Sequence, residues 1–279
     1  MFKNLNLGAL GFKASFFETI ELTKVGGFEG IDLDINEMTE ILRIKPVDEI
    51  KKIIKEKGLK LGGWVLPVDY RGNEIKFQED LKRLPGVAQM AHELGWLRVI
   101  TWIIPSSEKM PFKKNFEFHA KRLRSVAEIL YDHECSLGLE FIGPKTSRNG
   151  KYEFIYDLTG MMNLCDAIGT SNVGLLLDCW HWYTSHGTID QIKQLKNKDV
   201  VYVHVNDAPA GIPVDEQIDS VRRMPGETGV IDIIGFMKAL KKIGYDGPVT
   251  PEPFYKELKE LPIKEAVEKA GRALNKIWI

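Results

Sequence analysis

Residues 173–207 read VGLLLDCWHWYTSHGTIDQIKQLKNKDVVYVHVND. Two apolar runs lie inside this stretch, Val173 to Leu177 and the valine-rich Val200 to Val205, and each carries a polar group at its C-terminal end, Asp178 and His204. Runs of this kind separated by a helix-sized polar span read as parallel strands joined by right-handed crossovers. Working outward, the pattern recurs with strand starts near Leu5, Gly30, Lys60, Arg98, Leu137, Val173, Val200 and Gly247. The spacing runs from 25 residues (Leu5 to Gly30) to 47 (Val200 to Gly247), about the length of a βα unit. Eight such units favour a closed (β/α)8 TIM barrel over an open doubly wound sheet.

Helical periodicity supports the intervening elements. Ile263, Ala266, Val267, Ala270, Leu274 and Ile277 fall on one face, as do Ile233, Phe236, Met237, Leu240 and Ile243. Gly58, Gly95, Gly169 and Gly244 stand where helices should end, and Pro46 and Pro262 where helices should begin. No GxGxxG follows the first strand and no GxxxxGK[ST] occurs, so the common phosphate loops of open sheets are missing. With no linker-like or low-complexity stretch, residues 1–279 read as a single domain.

Charge narrows the function classes. Lys and Arg total 38 against 39 for Asp and Glu, a net charge of −1, which leaves no electrostatic footprint for nucleic acid. Three cysteines, Cys135, Cys165 and Cys179, suit a reducing compartment, and no apolar run approaches a membrane span. A soluble, cytoplasmic protein is expected, with neither a nucleic-acid nor a membrane partner.

In a barrel the C-terminal ends of the strands share one mouth. The fifth to eighth expected strands place Glu140, Asp178, His204 and Glu252 there. Alternation of side chains would bring Gly138, Leu176, Tyr202 and Thr250 inward beneath them. Three carboxylates and one imidazole converging on a point repel one another unless a cation sits between them. A divalent metal held by Glu140, Asp178, His204 and Glu252 answers that need, and the oxygen-rich set points to Mn2+, with Mg2+ or Co2+ as alternatives. Singly, each residue reads more readily as a cap, a loop ion pair or a hydrogen-bonded core histidine; four on four successive strands make the pattern.

These residues resemble the motif of the xylose isomerase-like barrels, in the sugar isomerase and epimerase branch that contains ketose 3-epimerases, hydroxypyruvate isomerases and inosose dehydratases. The matching positions are Glu140, Asp178-Cys-Trp-His181, His204 and Glu252, and the likeness spans nearly the whole chain. The segment Arg223-Met-Pro-Gly-Glu-Thr-Gly229 resembles the family's Arg-x-x-Pro-Gly-x-Gly stretch with one extra residue, so the substrate-side arginine is Arg223 or its neighbour Arg222. The resemblance implies that Glu140 and Glu252 exchange a proton on the substrate while also holding the metal. It further implies that His181 and Arg223 bind the substrate's oxygens.

Other features carry two readings each. Trp64 and Trp102, at strand ends, either stack on a sugar or pack the rim, whereas Trp180 and Trp182 read as packing. Residues 206–231 form a long connection, expected to be a lid or an ordered insertion against another copy; a homo-oligomer is compatible with either. Within it Asp207, Asp215 and Glu216 read as sugar ligands or solvated charges, and Lys145, Arg148 and Lys151 as a phosphate receptor or a solvated loop. Asp32 and Asp34 end the second strand without an assigned role, and His92, His119, His133 and His186 read as structural or surface residues.

The leading expectation is a metal-dependent isomerase or epimerase acting on a small sugar through an enediolate. A metal-dependent lyase or dehydratase on a keto-sugar or keto-inositol is the alternative, and a non-catalytic carbohydrate-binding barrel the alternative of another class.

Overall fold

The computed structural model describes residues 1–279. Its strands are β1 (Phe2–Leu5), β2 (Gly30–Ile31), β3 (Lys60–Leu61), β4 (Gly63–Val65), β5 (Arg98–Ile103), β6 (Ser106–Ser107), β7 (Ser136–Phe141), β8 (Tyr152–Glu153), β9 (Val173–Asp178), β10 (Val200–Val205) and β11 (Pro248–Pro251). The helices are α1 (Phe16–Val25), α2 (Ile35–Leu42), α3 (Val47–Glu56), α4 (Glu74–Leu94), α5 (Phe112–Asp132), α6 (Leu158–Ile168), α7 (Cys179–Thr184), α8 (Ile189–Lys193), α9 (Ile233–Lys242) and α10 (Ile263–Ile277).

Nine strands pair in parallel in the order β3-β2-β1-β11-β10-β9-β7-β5-β4. The two ends of that list, β3 and β4, are consecutive pieces of one chain segment broken at Gly62, so the eight expected units close into a barrel. Glycine is required at the break because a Cβ there would collide with the side chains of Asp32 and Asn4. The short antiparallel pair β6–β8 lies outside the barrel and had no sequence signal.

The chain signals act as expected. Gly58, Gly95, Gly169 and Gly244 all take positive φ at helix ends, and Pro46 and Pro262 directly precede α3 and α10. The main core of 64 residues fills the layer between strands and helices. Inside the barrel sits a separate small apolar layer, Ile100, Leu176 and Tyr202. The predicted inward alternation therefore holds for Leu176 and Tyr202, and Thr250 joins them by a 2.6 Å hydrogen bond with the Tyr202 hydroxyl. One step further along the strands, His204 pairs in register with Asp178 on β9, and Glu140 on β7 with Trp102 on β5. No helix is long and apolar enough to cross a membrane.

Candidate metal centre

Glu140, Asp178, His204 and Glu252 meet at the C-terminal ends of β7, β9, β10 and β11, with one potential ligand atom from each lying within 4.8 Å of all the others. Two metal–ligand bonds of about 2.0–2.4 Å placed end to end span roughly that distance, so the four donors fit around a single ion. His204 Nδ1 lies 3.4 Å from Glu140 Oε1 and 3.4 Å from Glu252 Oε2. Charge-assisted hydrogen bonds are usually about 2.7–2.9 Å. The longer spacing leaves the four donors room to accept an ion between them.

The electrostatics of the bare protein match this. Burial, reinforced by the charges of Glu252 and Asp178, pushes Glu140 up to about 8, against the hydrogen bond from His204. Burial likewise raises Glu252. Burial opposes a charge on His204, but Glu252, Glu140 and Asp178 outweigh it and lift the imidazole to about 9. The three carboxylates thus draw a proton onto His204. Asp178 behaves differently: burial would raise it, yet the adjacent Arg222 guanidinium holds it down at about 2.

Arg222 is the organising cation. It is 1% exposed, and its Nη1 donates to Asp178 Oδ2 at 2.8 Å and to Glu252 Oε2 at 2.9 Å. Its Nη2 donates to Asp219 Oδ1 at 2.8 Å, and its Nε to the Asp219 carbonyl at 3.0 Å. The guanidinium also lies 5.3 Å from the Trp180 ring and 4.4 Å from the Phe254 ring. The expectation for Arg223 is corrected here. Arg223 donates to the Arg222 carbonyl and lies over Tyr255, while its backbone pairs with Asp207 in an isolated bridge that faces its neighbour toward the metal cluster.

His181 sits on α7, 3.9 Å from Asp178 Oδ2 and 3.3 Å from Arg222 Nη2. The Gly143 backbone N–H donates to His181 Nδ1 at 3.1 Å, which leaves the ring proton on Nε2, the nitrogen on the metal side. Burial holds this imidazole at about 4, so near neutrality it is an uncharged N–H donor. Gly143 must be glycine, since a Cβ would meet the His181 carbonyl.

Asn206, which carried no expected role, and Asp207 hold this end of the barrel in place. Asn206 donates from Nδ2 to Asp178 Oδ1 at 3.0 Å and to the Glu252 carbonyl at 3.3 Å, tying three strand ends together. Asp207 is fully buried and accepts from the backbone N–H groups of Ala208, Thr228, Gly229 and Ile231 at 2.8–3.0 Å. Its carboxylate thereby pins both ends of the 206–231 connection, and its reading as a sugar ligand gives way to this one.

The remaining candidates separate. Trp102 is 43% exposed at the mouth, with the Arg71 guanidinium 4.8 Å from its ring. Trp64 is buried and donates to the Trp96 carbonyl. Asp215 bridges His186 at 2.8 Å and Lys145 at 3.2 Å on the surface, and Arg148 bonds the Gly143 carbonyl. A cavity of about 470 Å³ opens on the other half of the mouth, lined by Asn6, Lys13, Asp32, Asp34, Glu37 and Ile100 among others.

A profile described as xylose isomerase-like TIM barrel matches residues 20–277. The inosose isomerase of Bacillus velezensis is 23% identical over 255 residues, 91% of this chain and 88% of the relative. The 3-dehydroshikimate dehydratase of Pseudomonas putida is 21% identical over 271 residues, covering 96% of this chain and 41% of that protein. Among solved structures, a xylose isomerase domain protein from Alicyclobacillus acidocaldarius superposes with a TM-score of 0.88 at 26% identity, covering 99% of this chain and 97% of the other. The IolI protein with a bound zinc atom gives 0.82 at 20% identity (99% and 98% covered). The D-psicose 3-epimerase of Clostridium cellulolyticum gives 0.76 at 14% (99% and 98% covered).

Proposed function

The chain belongs to the xylose isomerase-like TIM barrel family, and from that premise we propose that it is a divalent-metal-dependent sugar isomerase or epimerase that moves a proton next to a carbonyl. The observation that carries this reading is the position of Glu140 and Glu252. They stand on separate strands on either side of His204, each 3.4 Å from its Nδ1, and burial raises the proton affinity of both. A carboxylate on each side of a substrate carbon can take a proton and return it, and a carboxyl with affinity near neutrality suits that work.

Glu140, Asp178, His204 and Glu252 would hold the metal. The ion would supply a fixed positive charge that polarises the substrate carbonyl and stabilises the developing enediolate. Mn2+ or Mg2+ suits three carboxylates and one imidazole, while the zinc in IolI makes Zn2+ the comparison to run. His181, held neutral, offers its Nε2–H to the oxygen on which charge accumulates without carrying a competing charge of its own. Arg222 keeps Asp178 ionised and, through Nη1, aims both Asp178 and Glu252. Trp102 offers a flat apolar face at the entrance, and the 206–231 connection, fastened by Asp207, would serve as a lid over the mouth.

The likeness to 3-dehydroshikimate dehydratases keeps a lyase as the second reading, because the same enediolate can expel a neighbouring hydroxyl. Incubation of metal-loaded protein with a panel of ketoses and inososes in D2O separates the readings. Solvent deuterium at one carbon of a rearranged sugar supports isomerase or epimerase action, and loss of water to give an ultraviolet-absorbing enone supports the lyase. Binding of sugars with no exchange at any carbon would leave a carbohydrate-binding barrel and refute the proposal.

A further inference from the structure

Around the metal cluster Arg222, Lys145, Arg148 and Arg71 are engaged and one carboxylate is only half used. Arg222 has Nη1 on Asp178 and Glu252, and Nη2 and Nε on Asp219. Lys145 pairs with Asp215, Arg148 bonds the Gly143 carbonyl and stacks on Tyr156, and Arg71 bonds the Trp102 carbonyl. In the adjoining cavity Lys13 is exposed and unpaired, and three carboxylates, Asp32, Asp34 and Glu37, outnumber it in the same lining. Asp219, by contrast, uses Oδ1 alone, 2.8 Å from Arg222 and 3.8 Å from His181 Nε2. Its Oδ2 has no protein donor, and its side chain is 33% exposed beside a histidine and an arginine that are 1% exposed.

We propose that Asp219 is a specificity-determining residue that accepts a hydrogen bond from a substrate hydroxyl beside His181 and restricts the site to uncharged polyhydroxy ketones. The inference rests on the sugar reading above and refines its substrate class. A carboxylate can only accept, so it selects for hydroxyl donors. A substrate carboxylate or phosphate brought alongside would meet a like charge with no free buried cation to receive it, and such juxtaposition is how sites exclude wrong partners. The distinction matters because the similar proteins include enzymes named for a neutral cyclic polyol ketone, inosose, and for a carboxylate-bearing one, 3-dehydroshikimate.

The test is calorimetric binding to the full-length, Mg2+-loaded protein with two matched pairs of probes: 2-keto-myo-inositol against 3-dehydroshikimate, and D-fructose against D-fructose 6-phosphate. The neutral member of each pair should bind at least about tenfold tighter, with the preference widening as ionic strength falls. Asp219→Asn should shrink the preference to less than about threefold with Mg2+ affinity unchanged, and Asp219→Glu should restore it. Equal or tighter binding of the anions to the unaltered protein, a preference insensitive to salt, or an unchanged preference in Asp219→Asn would overturn the proposal. If neither member of either pair binds and no solvent deuterium enters a sugar, the sugar reading itself falls and takes this inference with it. Sugar exchange without neutral preference refutes the inference alone.

Discussion

Asp32 and Glu140 are both carboxylates inside the same barrel, and burial raises the proton affinity of each, yet their surroundings are opposite. Asp32, just past β2, accepts four hydrogen bonds: from Asn4 at 2.8 Å, the Gly63 N–H at 2.7 Å, Asn6 at 3.0 Å and the Tyr202 hydroxyl at 2.5 Å. Glu140, at the end of β7, has one contact, the 3.4 Å approach of His204. Four short donors saturate a carboxylate's lone pairs and fix the groups around it. A carboxylate left with one long contact is held for something that arrives later. The β1–β5 half of the mouth therefore holds the saturated carboxylate, and the β7–β11 half holds the open one, Glu140, among the clustered side chains.

Substitution of the two carboxylate classes should expose that difference most sharply. Glu140→Gln and Glu252→Gln each keep an oxygen ligand, and turnover should fall by roughly 10² to 10⁴ with metal still bound. Steady-state rates alongside elemental analysis check this; near-normal turnover in both variants would place the proton elsewhere. His181→Ala comes next. Removal of a donor aimed at developing negative charge should lower kcat by roughly 10² to 10³, while metal affinity measured by calorimetry stays within about threefold.

The structural half should answer in stability instead. Asp32→Ala strands the donors of Asn4, Asn6, Gly63 and Tyr202, so denaturant unfolding should show a loss of about 2–3 kcal/mol. Metal affinity should be retained. A variant as stable as the parent, but unable to bind metal, would break the contrast.

The smallest effect is a dependence on pH. His204 is raised to about 9 and Glu140 to about 8 in the folded, metal-free protein, so the native state binds more protons than the unfolded chain at neutral and mildly alkaline pH. For raised groups the stabilisation is present below the unfolded values and lost as pH climbs through the folded ones. Chelated protein should therefore lose stability steadily between pH 6.5 and 9. Metal-loaded protein, whose cation replaces those protons, should stay flat over the same interval. Asp178, held at about 2 by Arg222, acts in the opposite sense: its contribution is present above about pH 4 and is lost as pH falls toward 2. Thermal melts across pH, with and without chelator, read both limbs.

Much of this was legible along the chain. Seven of the eight strand starts to within one residue (β1 begins at Phe2 and ends at the expected start, Leu5), the glycine stops at Gly58, Gly95, Gly169 and Gly244, and the convergence of Glu140, Asp178, His204 and Glu252 all followed from short-range periodicity. A strand alternates faces every residue and a barrel gathers its strand ends, so position along the strand fixes where the side chain goes. Arg222 lay one residue from the stated expectation, and a signal existed: counting back three from Pro225 in Arg-x-x-Pro-Gly lands on Arg222. Asn206, Asp207 and Asp219 had no comparable signal, because the 206–231 connection has no period from which a facing could be read. Its course is set by Asp207 collecting four backbone N–H groups in a dry interior, which turns Arg222 inward and leaves Asp219 at the rim. The sequence by itself determined the barrel and the convergence of Glu140, Asp178, His204 and Glu252, since both depend on local geometry; only the tertiary structure decided which arginine enters, which carboxylates are saturated and which remain open, because those outcomes depend on hydrogen bonds between segments far apart in the chain.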